Sequence, residues 1–165
     1  TGLLPRWLAH SEHEQDHQQA GQGDEEKHVL PGRRTSNDWQ HMSFTPDEIA
    51  EMGDRVLCVG TRLGPDAGGI VCFDIDGLSA ITKLIEMGLE HQPVTWMIGR
   101  NNAPDRYKLF FRVPKERWEH LPGKCEVKAE GNEKVEIFWT SGQCIVAGEH
   151  RQSDSQYIWQ EGNLP

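Results

Sequence analysis

Downstream of residue 55 the chain repeatedly alternates apolar and polar positions with a period of two, the repeat of a strand whose faces meet different surroundings. Strands are expected at 55–60 (RVLCVG), 69–76 (GIVCFDID), 94–98 (VTWMI), 107–113 (YKLFFRV), 134–139 (KVEIFW) and 143–147 (QCIVA). Gly64 and Gly68-Gly69 supply the turn between the first two. The period changes over 79–89 (SAITKLIEMGL), which predicts a helix lying on the sheet. Thr45-Pro46-Asp47-Glu48 has an N-cap threonine, proline at the first helical position and glutamate three residues after the cap, so a short helix starts there and Gly53 closes it. A further short helix is expected after Pro114 and an edge strand over 156–159. There are no repeats. The pattern is α+β: a mostly antiparallel sheet with flanking helices.

Residues 9–28 (AHSEHEQDHQQAGQGDEEKH) show no apolar period. We therefore expect 1–38 to be a polar, weakly ordered segment, with 9–28 dispensable for the chemistry, and 39–165 to form one domain, as the length of 165 residues suggests. His10, His13 and His17 could share a helical face and hold a metal, but solvated polar chain is the preferred reading. Leu3, Leu4, Trp7 and Leu8 are available to pack back on the core. No apolar run approaches the roughly 20 residues of a membrane span, and the first 15 residues lack a signal-peptide core. The chain is expected to be soluble and cytoplasmic, with no membrane partner.

Cys58, Cys72, Cys125 and Cys144 form no CxxC pair and are expected as buried reduced thiols; a zinc site from Cys125, Cys144 and a histidine is the alternative. The net charge of −9 argues against a nucleic-acid partner until its distribution is considered. Residues 1–54 carry four Lys or Arg against eleven Asp or Glu, and the remainder thirteen against fifteen. The acidity thus lies mainly in the N-terminal third.

Strand parity selects the candidate chemistry. In 69–76, Ile70, Cys72, Asp74 and Asp76 share one face. Two carboxylates at i and i+2 repel, and a hard divalent cation removes that cost; the alternative is a strand running out into solvent at an Asp76-Gly77 turn. In 106–113 one face is Tyr107, Leu109, Phe111 and Val113, and the other is Arg106, Lys108, Phe110 and Arg112. A cationic row near paired carboxylates suits phosphate. Glu136 stands among Val135, Ile137 and Trp139 as the natural third carboxylate, and the apolar strand at 143–147 delivers His150 just beyond its end.

The runs GTRLGPDAGGIVCFDIDG, IGRNNAPDRYKLFFRVP, VEIFWTSGQCIVAGEH and YIW resemble, in order and spacing, the primase–polymerase (bifunctional DNA primase/polymerase) domain of the archaeo-eukaryotic primase superfamily, especially versions encoded by plasmids, phages and cyanobacteria. The resemblance covers about residues 55–160. It implies an archaeo-eukaryotic primase-like, RRM-like catalytic core in a bacterial or archaeal cell. It implies DNA primase or polymerase activity by two-metal transfer, with Mg²⁺ or Mn²⁺ on Asp74, Asp76 and Glu136. Nucleotide phosphates would meet Arg106 and Lys108, with His150 or Arg62 assisting. The implied partners are single-stranded DNA template, primer and dNTP or NTP, with a helicase domain C-terminal to this segment as a further candidate. The family usually has histidine where this chain has Lys108, and a Pro-Ser-x-His element where it has Ala147-Gly148-Glu149-His150. Trp96, Tyr107 and Phe110 read as core first and as base-stacking residues second. Two rival readings remain. One is a catalytically impaired nucleic-acid-binding module of the same fold. The other is a haloacid-dehalogenase-type phosphatase, whose DxDG motif resembles Asp74-Ile75-Asp76-Gly77 but which needs a parallel sheet.

Overall fold

The computed structural model describes residues 7–11, 42–53, 56–90, 94–140, 143–150 and 154–160. Leu3, Leu4, His13, His17 and the whole of the 12–41 stretch lie outside them.

Among the described residues nine strands form one sheet: β1 (Trp7–Ser11), β2 (Val56–Thr61), β3 (Ile70–Asp76), β4 (Trp96–Arg100), β5 (Ala103–Arg112), β6 (Lys124–Lys128), β7 (Lys134–Phe138), β8 (Cys144–Glu149) and β9 (Gln156–Trp159). Their order across the sheet is β1-β2-β8-β9-β4-β5-β3-β7-β6. Every neighbouring pair is antiparallel. The parallel sheet that the phosphatase reading requires is not formed. Helix α1 (Pro46–Met52) starts as its sequence predicts: Thr45 Oγ1 accepts from the Glu48 amide, and the Glu48 carboxylate accepts from the Thr45 amide at 2.7 Å. Helix α2 (Leu78–Glu86) follows β3 directly, and a 3-10 helix (Lys115–His120) follows Pro114.

The sheet sorts side chains onto two faces. The outer face carries Ile75, Tyr107, Leu109 and Val135, which pack with Ala80 and Leu84 of α2. The inner face carries Cys72, Ile98, Phe110, Cys144 and Val146, with Trp96, Tyr157 and Trp159 beside them. Ile75, Ile98, Val135 and Val146 are all but sealed from solvent. Burying each contributes about 1.5–3 kcal/mol. Strands β3 and β8 are separated by three others, yet Cys72 Sγ and Cys144 Sγ lie 3.1 Å apart. The sheet therefore curls until its inner face meets itself. Trp96 and Phe110 belong to this inner packing, and Tyr107 to the outer cluster.

Several expectations change. The 156–159 strand is interior, between β8 and β4, because Tyr157 and Trp159 complete the inner core. The outermost strands among the described residues, β1 and β6, are not among those expected from the sequence. Cys58, Cys72 and Cys144 are buried, but Cys125 is exposed on edge strand β6. Cys125 pairs opposite Ile137 and so takes the outer face, whereas Cys144 sits in the inner core. The two do not meet in a zinc site. Among the described residues no helix is long and apolar enough to cross a membrane.

Candidate active site

Register brings the predicted residues together. On β3, Asp74 stands opposite Lys108 of β5 on one side and Glu136 of β7 on the other. Asp76 likewise stands between Arg106 and Lys134. Residues directly opposite in an antiparallel pair share a face, so three carboxylates and three cations form two short rows on the inner face. Beyond them the inner face is apolar, so these rows mark where the core gives way to a polar cleft. The cleft has a volume of about 360 Å³ and is lined by Asp74, Asp76, Arg100, Arg106, Lys108, Glu136, His150 and Tyr157, with Ile75, Ile98 and Tyr107 at its walls.

Each carboxylate is engaged by a cation. Lys108 Nζ is 3.2 Å from Asp74, Arg106 is paired with Asp76, and Glu136 is held by Lys124 and, at 3.1 Å, by Lys134. Among the described residues no three acidic, histidine or cysteine side chains close on one point as a metal would require. The expected convergence of Asp74, Asp76 and Glu136 is therefore present in strand placement and face, but not in side-chain direction. The physical reason is charge: like charges repel and turn to the nearest cations. The donor set still fits a hard divalent ion, since it offers carboxylate oxygens from facing positions of adjacent strands at a polar cleft.

Lys108 stands on the carboxylate side, as strand parity puts it, and is buried there; only 8% of the residue is exposed. Burial by itself would lower its pKa, but the Asp74 charge, supported by Cys144, Tyr157 and Cys72, holds it well above the usual lysine range. The ammonium also sits 4.9 Å from the centre of the Tyr157 ring. Burial would likewise raise the Glu136 carboxyl, but its ion pairs with Lys124 and Lys134 hold it below the usual range. His150 is pushed below the usual histidine range, by burial first and then by the charges of Arg100 and Lys108. Its imidazole is neutral near pH 7 and packs against Tyr157 with ring centres 5.6 Å apart.

Arg62 is not among the lining residues; it is ion-paired with Asp66 at the turn after β2. Arg100, Lys134, Lys124 and Tyr157 escaped the sequence reading. Arg100 was within reach of it, because Trp96, Ile98 and Arg100 continue one strand parity. Lys124 was not, since its strand has no apolar alternation strong enough to detect.

Glu133 was also missed, and it fixes the turn after Asp76. Its carboxylate accepts from the Ser79 amide at 2.7 Å and the Ser79 hydroxyl at 2.6 Å, capping α2 from another segment of chain. These hydrogen bonds lower its pKa. Gly77, at φ +113°, leaves room for this; a methyl there would overlap the Glu133 carboxylate. The Asp76-Gly77 pair is thus a built corner rather than a strand dissolving into solvent. Glu133→Ala is expected to fray the first turn of α2. Faster amide exchange at Ser79 and Ala80, with little change in the strands, would report it; unchanged protection at Ser79 would contradict the capping role.

Comparison with protein families gives a match to the model for the N-terminal domain of bifunctional DNA primase/polymerase over residues 19–165. Neither the curated proteins nor the solved structures contain a match.

Proposed function

The chain belongs to the bifunctional DNA primase/polymerase family, and on that premise we propose that it catalyses template-directed nucleotidyl transfer with Asp74, Asp76 and Glu136 as metal ligands. The observation that carries this reading is the placement of all three carboxylates on one face of adjacent strands, at a cleft that also holds cations. Mg²⁺ or Mn²⁺ bound there would acidify the primer 3′-hydroxyl and stabilise the departing pyrophosphate. Within the chain, the cations that now neutralise the carboxylates would be released where a metal took their place as counter-charge. Lys108 and Arg106 are then free to meet phosphate oxygens. His150 and Tyr157 pack at the other side of the cleft and limit how far the nucleotide enters. The curled antiparallel α+β sheet serves as the primase-like core. Template and primer DNA are the expected macromolecular ligands.

The test is a primer-extension and de novo priming assay with Mg²⁺ or Mn²⁺. Metal-dependent incorporation of dNTP or NTP supports the reading. Template binding without incorporation would instead favour an impaired binding module, a reading to which the cation-paired carboxylates give some weight. Lys108→Met, which keeps the apolar stem, is expected to lower kcat/KM for the nucleotide roughly 10- to 150-fold, the cost of losing a charge-assisted contact of about 1.5–3 kcal/mol. Extension at the wild-type rate across nucleotide concentrations would remove Lys108 from the mechanism.

A further inference from the structure

Among the described residues, one cation of the cleft is paired with no carboxylate. Arg106 is paired with Asp76 and Lys108 with Asp74. Arg100, half-buried at the end of β4, reaches no carboxylate among the described residues. Its guanidinium Nη1 lies 3.0 Å from His150 Nε2. A guanidinium can only donate, so His150 accepts there through Nε2. A neutral acceptor orients a guanidinium without cancelling its charge. A partly desolvated cation without a counter-ion is costly, and a second cation, Lys108, lines the same cleft. A polyanion in the cleft would remove that cost. Guanidinium groups suit phosphate because their planar fork binds two oxygens at once.

We propose that Arg100, oriented by His150, seats the terminal phosphates of the incoming nucleoside triphosphate. The cleft is then polar in direction: the β4 and β8 side takes the anion, and the β3 and β7 side takes the cations. Arg106, paired with Asp76 in the metal-free protein, is a secondary phosphate contact. This assignment rests on the nucleotidyl-transfer reading.

Binding of inorganic tripolyphosphate to the metal-free protein, followed by calorimetry, tests the seat directly. Primer-extension kinetics test it in the reaction. Arg100→Gln is expected to weaken tripolyphosphate binding roughly 10- to 150-fold. It should raise the nucleotide KM by a similar factor while leaving primer–template affinity unchanged, a split that a merely structural role would not produce. Arg100→Lys, which keeps the charge but loses the fork, should fall between, and it serves as the folded variant if the glutamine form melts early. Arg117→Gln, at an exposed position on the 3-10 helix, should change neither measurement. A folded Arg100 variant with wild-type tripolyphosphate binding and nucleotide KM overturns the proposal, as does a wild-type protein that binds no tripolyphosphate. If tripolyphosphate binds through Arg100 but no primer is extended, the anion seat stands and the nucleotidyl-transfer reading falls. If primers are extended and Arg100→Gln keeps its KM, the reverse holds.

Discussion

Asp74→Ala is expected to abolish metal-dependent primer extension and to destabilise the domain at the same time. Asp74 occupies the centre of the carboxylate row, with Lys108 and Glu136 directly opposite it on either side. Metal assistance in phosphoryl transfer is worth several kcal/mol, so the rate should fall on the order of 10³-fold or more. The stability loss has a separate cause. Lys108 is buried and its ammonium depends on Asp74 for counter-charge. Removing one partner of a buried ion pair costs about 3–5 kcal/mol; the Asp74 side chain keeps 31% of its exposure, which places the effect toward the lower end. The double variant Asp74→Ala/Lys108→Met should therefore recover much of the lost stability and none of the activity. Thermal melts of the single and double variants, beside primer extension, check both halves. An Asp74→Ala protein that still extends primers removes the residue from the chemistry. One that melts with the wild type, and is not rescued by the second change, removes the ion-pair account.

The second large effect falls on a residue outside the cleft lining. Gly148 has φ +96°, and a methyl group there would overlap the Leu57 carbonyl oxygen and come within 2.5 Å of Cys58 Cα. Both obstacles are backbone and neither can swing aside. Gly148→Ala combines left-handed strain of about 1–3 kcal/mol with overpacking of similar size. A loss of about 3–5 kcal/mol is expected, or a fall in Tm on the order of 10 °C. Gly68→Ala is the control: it too has positive φ, at +70°, but open space around it, so only about 1–2 kcal/mol should be lost. Equal melting temperatures for the two variants would show that the close approach of β8 to β2 is not what Gly148 serves. The glycine that departs from the Pro-Ser-x-His pattern thus has a local reason: β8 pairs there with Cys58 on one side and Tyr157 on the other.

The interior strands were legible because burial on two different faces imposes alternation. Ile70, Cys72 and Asp74 against Val71, Phe73 and Ile75 is such a pattern, and the structure divides them in the same way. The Thr45 cap was legible because its hydrogen bonds are made within four residues. Edge strand β6 was not, since KCEVK is exposed at four of its five positions and carries no apolar repeat. Nor was strand order: that Asp74 lies between Lys108 and Glu136 depends on pairings across more than 25 residues, which periodicity does not encode. The burial of Lys108 is not encoded in strand parity either; it follows from the curl of the sheet, which brings Tyr157 and Cys144 close to it. Glu133 was invisible for a related reason. Its partner is Ser79, 54 residues away.

The rows that cross β5, β3 and β7 also set how this domain tolerates changes in chain length. Side chains in a strand change face at every residue, so one residue removed from β7 ahead of Glu136 would turn that carboxylate toward Ile75 and Leu84 and bring Val135 or Ile137 to the cleft. Two residues removed would restore the parity and shift only the opposing partner. Lengthening or shortening these three strands should therefore be tolerated in steps of two and rejected in steps of one. Loops away from the cleft should show no such odd–even rule.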